Sequence, residues 1–456
     1  MKALRLAIAA AVIGLGLCVT AGGGSAQPAP TDHRTPAGIA FRHLAMPQDT
    51  HHALAFGWTD GFALALPGKE GLAVLGPRLM LEGSRAMGQS ERIERLKDLQ
   101  ASLSLSGAAH FTRGALAAPK AKFAQAAEVL ADLLANPALP PDKLALAKRS
   151  LALSSRQNQE NAETLANRLF MRLILGEGPT LRLAVADPAA YAQVEVADVE
   201  AWRREVLGRD RLTIASAGPL AADEVAKEID RIFAGLPAVG RKLGPPPPMR
   251  TVGKLVVLER KVVQTAIVAG GASGWTLGPD ALPGTIAVRA LGGGFESRLV
   301  RAVREKLGAA YRIGAGFHQL HPKAFALVIN TAVDNAKAAA AVQAIRQEYA
   351  RLFAEAVPEA EIEPLRTKLV TEMREQTRRS TSAAARLRDL TQTDFPPDFL
   401  PTYETHVRAV AAGAIAEGIR LNMPKPPLTF MVVAPSSEGL GADCVIKAPE
   451  EIARCE

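Results

Sequence analysis

Histidine is the side chain of this sequence best suited to bind a metal, and its copies are spread over the whole chain. A zinc site needs three or four converging ligands, usually with two on one helix face. His51 and His52 are adjacent, so a strand would point them to opposite sides. His318 and His321 are three residues apart, but Pro322 and the alternating pattern around them argue against a helix. All of the histidines are therefore predicted to be exposed or hydrogen-bonded rather than ligands. They are His33, His43, His51, His52, His110, His318, His321 and His406.

Other catalytic signatures are also missing from the sequence. It contains no Gly-x-Ser-x-Gly elbow, no phosphate-binding loop and no Gly-x-Gly-x-x-Gly motif between a strand and a helix. The run Gly292–Gly294 lacks the Lys-Ser/Thr pair of a phosphate loop. Catalytic cysteine chemistry is not expected, since neither Cys444 nor Cys455 lies beside a His. An oxidising compartment would permit a disulfide between these two residues, and the sequence leaves open whether it forms.

The elements that carry these residues form two similar halves. Four consecutive prolines interrupt the chain in a linker predicted at residues 244–250, between domains predicted at residues 31–243 and 251–446. The apolar segment Leu212–Pro219 has a counterpart 216 positions later, at Leu428–Pro435. A strand-to-helix passage at Ala117–Lys120 has its counterpart at Val333–Asn335. Two markers at one offset indicate a duplicated domain, although chance similarity of Ala-rich helices is the alternative.

The fold class follows from the order of the elements within each half. Alternating segments predict strands in hairpin-like pairs, and long Ala/Leu/Arg helices such as Pro141–Gln159 and Pro364–Leu390 separate them. We therefore predict an α+β fold of two homologous domains, each an antiparallel sheet with helices packed on one face.

The N-terminus predicts export. Lys2 and Arg5 precede an apolar run and a small-residue stretch, the pattern of a secretory signal peptide at residues 1–26. Cleavage after Ala21 is an alternative, as are a retained anchor and a lipoprotein attached at Cys18. The simplest destination is the bacterial periplasm, with no stable membrane anchor.

Composition argues against nucleic-acid binding. The formal net charge of the 456 residues is +8, a mild excess, and no basic block is interleaved with aromatic residues. Nucleic acid is therefore not an expected partner.

A family resemblance appears in the second half. The segments Leu291–Leu299 and Val303–Tyr311 resemble the C-terminal signature of the insulinase/pitrilysin-type zinc peptidases. The duplicated α+β halves, the central linker and the length also fit, so the resemblance covers nearly the whole chain after the signal peptide.

Active members of that family carry an inverted zinc motif, H-x-x-E-H, on a helix of the first half. The stretch Gly71–Ser84 keeps the flanking residues, but Val74 and Arg78 stand at the two histidine positions and Pro77 at the general-base position. The third ligand of the family, a Glu, would fall near Leu153–Ser155. Val74 has no lone pair, Arg78 is a permanent cation, and Pro77 neither accepts a proton nor fits comfortably inside a helix. The resemblance thus implies no metal and no catalytic residue on this chain alone.

Arg304 and Tyr311 match an Arg/Tyr pair that contacts peptide carbonyls near the scissile bond in the resembling family. A guanidinium and a phenol are suitable donors to carbonyl oxygens. Without the resemblance, Arg304 would be interpreted as a solvated helix residue paired with an acid, and Tyr311 as a strand core residue.

The resemblance implies a non-catalytic subunit of a periplasmic zinc metalloendopeptidase. This chain would form a heterodimer with a homologous subunit that holds the zinc, and would supply substrate-binding residues for peptide degradation or processing. The alternatives are an inert scaffold, a protein that binds peptides along a sheet edge, and a peptidase with another metal site built from His51, His318 or His321.

Overall fold

A computed structural model describes residues 29–59, 68–241 and 245–456. The predicted signal peptide lies outside the described residues, as does part of the predicted linker; residues 245–250 adopt no helix or strand. In the described part of the chain, no helix is long and apolar enough to cross a membrane.

The N-terminal half contains six strands and nine helices among its described residues. The strands are β1 Thr31–Arg34, β2 Ala40–Ala45, β3 His51–Thr59, β4 Ser102–Ala108, β5 Phe111–Pro119 and β6 Leu212–Gly218. The helices are α1 Leu72–Met80, α2 Gln89–Asp98, α3 Phe123–Ala135, α4 Pro141–Glu160, α5 Ala162–Leu175, α6 Pro179–Ala184, α7 Pro188–Ala192, α8 Val196–Val206 and α9 Ala222–Phe233.

The C-terminal half, from residue 245 onward, is built in the same way. Its strands are β7 Leu255–Glu259, β8 Thr265–Ser273, β9 Ile313–His321, β10 Ala324–Val333, β11 Thr429–Ala434 and β12 Cys444–Ile446. Its helices are α10 Leu282–Gly292, α11 Ala338–Ala354, α12 Glu359–Gln376, α13 Ser380–Gln392, α14 Phe399–Ala409 and α15 Ala412–Asn422. A π-helical segment covers Val300–Lys306, and a 3-10 helix covers Pro449–Cys455.

The two sheets have equivalent strand orders, β1-β2-β6-β3-β5-β4 and β12-β7-β11-β8-β10-β9. The segments that the sequence identified as counterparts, β6 and β11, occupy the same central position. The α+β class and the duplicated halves are therefore confirmed. Each sheet is mostly antiparallel, but β2 pairs with β6, and β7 with both β11 and β12, in parallel. β6 and β11 can pair in parallel with β2 and β7 because the chain returns to each sheet through long helical connections instead of hairpins.

Both faces of each sheet are covered, whereas the prediction placed helices on one face. Helix α13 packs on β3 and β6 of the N-terminal sheet, and α5 packs on β8 and β11 of the C-terminal sheet. Buried Ala383 and Leu387 join the same core as Ala55 of the opposite half. A strand buried on both faces reads as a continuous apolar run, as in β11. The halves are thus joined by reciprocal helix packing.

Helix boundaries follow local capping signals. The side chain of Asn161 accepts a hydrogen bond from the Thr164 backbone N–H at 2.9 Å and begins α5, and Gly176, with φ of 68°, follows its last residue. The predicted helix Pro364–Leu390 is two helices, because the backbone is extended at Arg379, the residue before α13. Cys444 and Cys455 form a disulfide, which answers the question that the sequence left open.

Candidate functional site

Helix α1 carries the three degenerate motif positions. Val74 is half-buried, Pro77 is buried and Arg78 is exposed. The helix runs from residue 72 to residue 80 without interruption, although a proline at position 77 was expected to be poorly tolerated. Pro77 has no N–H to donate to the carbonyl of Ala73, four residues earlier.

Gly107 in β4 allows this helix to lie close to the sheet. A Cβ atom at Gly107 would lie only 1.9 Å from the Ala73 carbonyl oxygen and 3.0 Å from the Pro77 ring. Only glycine fits this approach without a shift of backbone. The helix around Pro77 is therefore stabilised by tertiary packing against β4.

A cavity of about 620 Å³ lies beside α1, between the two halves. Val74 and Ser155 both line it, so the structure brings one former histidine position together with the region expected for the third ligand. Ser155 is buried, and its hydroxyl has no hydrogen-bond partner among the described residues. The other polar side chains that line the cavity include His110, Asn158, Glu163, Asn167, His318 and Gln319.

The side chains at the motif positions do not fit a zinc ion. A valine, an exposed arginine and a serine hydroxyl replace the two imidazoles and the carboxylate that such a site requires. Among the described residues, no three His, Cys, Asp or Glu side chains gather closely enough to hold a metal ion. Burial and the nearby Arg113 lower the pKa of His110 to about 4, so this imidazole is neutral near pH 7.

Arg304 and Tyr311 lie close together in the C-terminal half. Arg304 is on the π-helical segment, and its guanidinium carbon lies 5.6 Å from the centre of the Tyr311 ring. The ring of Phe295 lies 5.3 Å from the same carbon, so Arg304 contacts two aromatic rings. Both rings are largely in solvent, with 78% of Phe295 and 88% of Tyr311 exposed. We call Phe295, Arg304 and Tyr311 the aromatic–arginine cluster.

Neither alternative interpretation of these two residues is correct. Arg304 forms no ion pair or hydrogen bond through its side chain with any described residue, so it is not paired with an acid. Tyr311 is exposed and precedes β9, which begins at Ile313, so it is not a strand core residue. Tyr311 is exposed and Arg304 is half-buried, and no described residue occupies the donors of either side chain with a hydrogen bond, so these donors are available to carbonyl oxygens.

Polar contacts hold the loop that carries Tyr311. Lys337 donates to the carbonyls of Leu307 and Gly308 at 3.1 and 2.9 Å, and Gly308 adopts a φ of 55°. The hydroxyl of Thr331 donates to the Arg312 carbonyl at 2.9 Å. Both ends of the loop are therefore fixed to neighbouring elements while the Tyr311 ring stays in solvent.

An ion pair across the halves places the cluster beside the cavity. Arg312 lies 3.8 Å from Glu163, which lines the cavity at the start of α5. Tyr311 is the residue next to Arg312, so the cavity edge and the aromatic–arginine cluster are neighbours. The structure thus joins the predicted pair to a cavity but keeps it apart from Arg78, which does not line that cavity.

Sequence reasoning missed Phe295 and a buried histidine chain. Phe295 directly follows the Gly292–Gly294 run, and an exposed aromatic residue after a glycine-rich turn is the signal that could have indicated a contact residue. In the N-terminal sheet, the Ser216 hydroxyl lies 2.8 Å from His43 Nδ1 and 3.2 Å from His52 Nε2. All three side chains of this hydrogen-bonded group are buried within the N-terminal half.

Comparisons with known proteins agree with this architecture. A family profile described as the peptidase M16 inactive domain matches residues 193–369. The structure resembles that of a peptidase M16 inactive domain from Pseudomonas fluorescens with a TM-score of 0.81 and 16% identity, over 89% of this chain and 98% of the other. The resemblance to insulinase-type peptidases is confirmed. The periplasmic protease PqqL from Escherichia coli has a TM-score of 0.74 and 13% identity, over 95% of this chain and 49% of its own.

Curated relatives match this chain in sequence over little more than half of its length. An uncharacterized zinc protease of Rickettsia bellii is 24% identical over 54% of this chain and 59% of its own length. The non-peptidase homolog YmxG of Helicobacter pylori is 22% identical over 58% of this chain and 63% of its own. The matches thus span less than two thirds of either relative, so activity and partners are not transferred from them.

Proposed function

We propose that this chain is the non-catalytic subunit of a zinc endopeptidase, to which it contributes Arg304 and Tyr311. The observation that carries the proposal is the aromatic–arginine cluster, whose polar groups form no hydrogen bond or ion pair with any described residue. A peptide carbonyl that accepted from Arg304 and Tyr311 would satisfy both donors. The insulinase-type scaffold supports the same interpretation.

The partner would be a homologous chain that carries the zinc ligands. Because Val74, Pro77 and Arg78 supply neither ligands nor a general base, hydrolysis by the family's metal mechanism needs these groups from elsewhere. Zinc in that partner would supply the activated water. This chain would bind the peptide backbone and stabilise negative charge on the carbonyl oxygen through Tyr311.

We place the complex in the periplasm. The N-terminal pattern Lys2 to Ala26 supports export, and the disulfide between Cys444 and Cys455 is of a kind that persists in oxidising compartments. The structural similarity to a periplasmic protease from Escherichia coli is a further support.

Reconstitution tests this function. A quenched fluorescent peptide library is incubated with zinc and one of three samples, namely this protein, a candidate zinc-motif homologue, or both together. We expect cleavage by the mixture that exceeds the sum of the separate samples, and co-elution of the two chains on size exclusion.

The substitution Arg304→Ala is expected to remove the gain in the mixture, whereas Arg301→Ala is the matched control. Arg301 is exposed on the same π-helical segment, and its side chain forms no hydrogen bond or ion pair with another described residue. Chelator-sensitive cleavage by this protein alone would contradict the proposal. Co-elution without any gain in cleavage would instead favour an inert scaffold.

A further inference from the structure

A second cavity, of about 850 Å³, lies in the C-terminal half. It is bounded by α10, α12, α13 and α14, and by the end of the β9–β10 hairpin, so its position is equivalent to that of the cavity beside α1. Gln319 lines both cavities, which are therefore adjacent. Its volume suits a small organic molecule.

Aromatic rings line this second cavity on two sides. Trp275 is stacked on Phe317 with ring centres 4.8 Å apart and an interplanar angle of 13°. On another side, the ring of Phe399 lies 4.2 Å from that of Phe395 and 5.5 Å from that of Tyr403. Leu282, Met373 and Leu390 add aliphatic surface. Such walls favour a flat apolar group.

Two of the three acidic side chains of the lining, Glu372 and Asp389, are paired with arginines, whereas Asp394 forms no ion pair with a described residue. Glu372 lies 2.7 Å from Arg289. Asp389 lies 2.8 Å from Arg388 and 3.6 Å from Arg113. These carboxylates are therefore compensated by other guanidinium groups.

Arg386 is the lining arginine without a direct ion pair, although the negative charge of Asp389 acts on it from farther than 4.0 Å. Its side chain forms no hydrogen bond and no ion pair within 4.0 Å among the described residues, and its Nε is buried without a partner. The amide nitrogen of Gln392, also in the lining, is likewise buried without a partner. Burial lowers the pKa of Arg386, which reflects the cost of holding this charge away from water. Arg386 is half-buried, with its Nε fully buried, and charges held away from water are normally paired, so the unpaired donor favours an anion as the ligand.

We propose that the second cavity binds a monocarboxylate with an aromatic or aliphatic body, and that Arg386 pairs with its carboxylate. One guanidinium can bind both oxygens of one carboxylate, and Gln392 adds an N–H donor. A phosphate dianion would favour a second unpaired cation inside the cavity, whereas Arg113 and Arg289 are already engaged and Lys323, at the lining, is exposed to solvent. The aromatic walls then hold the body of the ligand.

The carboxylate can come from a free small acid or from the C-terminus of a peptide, and two pairs of probes distinguish these sources. The first pair is N-acetyl-phenylalanine and its amide. The second is a tetrapeptide ending in phenylalanine with a free or an amidated C-terminus. Trp275 fluorescence reports binding, since Trp58 and Trp202 are buried away from this cavity. Calorimetry confirms each titration.

We expect each free acid that enters to bind at least about tenfold more tightly than its amide, which is the value of one charge-assisted hydrogen bond. Binding of only the smaller acid would assign the site to free acids, and binding of the tetrapeptide would assign it to peptide C-termini. Equal affinity for acid and amide, or no saturable binding of any probe, would overturn the proposal.

The substitution Arg386→Gln tests the residue itself. It is expected to weaken binding of the acid about tenfold and to abolish the difference between acid and amide. Arg85→Gln is the matched control, because Arg85 is exposed in the other half, and it should retain wild-type affinity. An Arg386→Gln protein that still prefers the acid would contradict the assignment, and the acid–amide comparison in the wild-type protein stands if the variant does not fold.

Discussion

The N-terminal and C-terminal halves share one strand order, yet their equivalent cavities differ in charge. The cavity beside α1 has two charged lining residues, Glu163 and Arg168, with neutral His110 and a serine hydroxyl. The cavity beside α10 is lined by three arginines, one lysine and three carboxylates. The exposed Arg304 and Tyr311 lie only in the C-terminal half. The core of each half thus supports the same fold with very different side chains at the sites.

The difference shows which positions the fold constrains. Buried strands such as β6 and β11 are mostly apolar in both halves because each lies between helices on both faces, and buried Ser216 of β6 is hydrogen-bonded. Val74, Arg304 and Tyr311 are partly or largely exposed, so their side chains can change at little cost to stability. The same scaffold can therefore lack zinc ligands at the motif positions of the N-terminal half and still carry Arg304 and Tyr311 in the C-terminal half.

Acid should destabilise the N-terminal half more than the C-terminal half. Burial, with a contribution from His33, lowers the pKa of His43 to about 4, and burial with His43 nearby lowers that of His52 to about 3. Unfolded histidine binds a proton near pH 6.5, so the stability that these groups confer is complete above that pH and is lost as pH falls toward their folded pKa values.

At about pH 5, His43 and His52 should each lower the free energy of unfolding by roughly 2 kcal/mol relative to neutral pH. Hydrogen exchange measured by mass spectrometry should show faster exchange in β2, β3 and β6 than in β7, β8 and β11 on acidification. His52→Gln should flatten the pH dependence, with exposed His406→Gln as the control for the substitution. Equal acid sensitivity of both sheets would contradict this difference between the halves.

Removal of the disulfide should act on the C-terminal half alone. The bond closes a loop between Cys444 and Cys455, 11 positions apart, and joins the edge strand β12 to the terminal 3-10 helix. Closure of so short a loop stabilises by about 2–3 kcal/mol. The double variant Cys444→Ser, Cys455→Ser should lower the free energy of unfolding by that amount in urea titrations. An increase in exchange at β1, the equivalent edge strand of the N-terminal sheet, would show that the effect is not local.

Gly107→Ala should destabilise the protein, whereas Gly316→Ala should not. A methyl group at Gly107 would meet the Ala73 carbonyl, whereas no atom lies within 4 Å of the equivalent point at Gly316 in β9. We expect Gly107→Ala to lower the free energy of unfolding by about 1–3 kcal/mol. Equal thermal shifts for the two variants would contradict the proposed packing of α1 on β4.

Much of the fold was predictable because both halves repeat clear patterns. Periodicity and proline signals predict the apolar strand β11 and the helix that begins at Pro141. They also indicate that the order of elements repeats in the two halves. The exchange of α5 and α13 between halves was not predictable, since an amphipathic helix does not specify which of two equivalent sheets it covers. The parallel pairing of β2 with β6 was also not predictable, because these strands are far apart in sequence.

The candidate site was predictable in its residues but not in its geometry. The types at Val74, Pro77 and Arg78 could be identified from their flanking residues. That α1 continues through Pro77 without a break could not be predicted. The helix is stabilised there by packing against Gly107 of β4, about thirty residues away in sequence. The contact of Phe295 with Arg304 depends on the π-helical turn, which no sequence period indicates.

The central claim is that Arg304 and Tyr311 act on a peptide bound to a partner's zinc site. Its most direct test is the kcat of the reconstituted mixture with wild-type, Tyr311→Phe and Arg301→Ala protein at saturating peptide. Loss of one oxyanion donor should lower kcat about 10²–10³-fold for Tyr311→Phe and leave Arg301→Ala near the wild-type value. An unchanged kcat for Tyr311→Phe, with the complex intact, would contradict the claim.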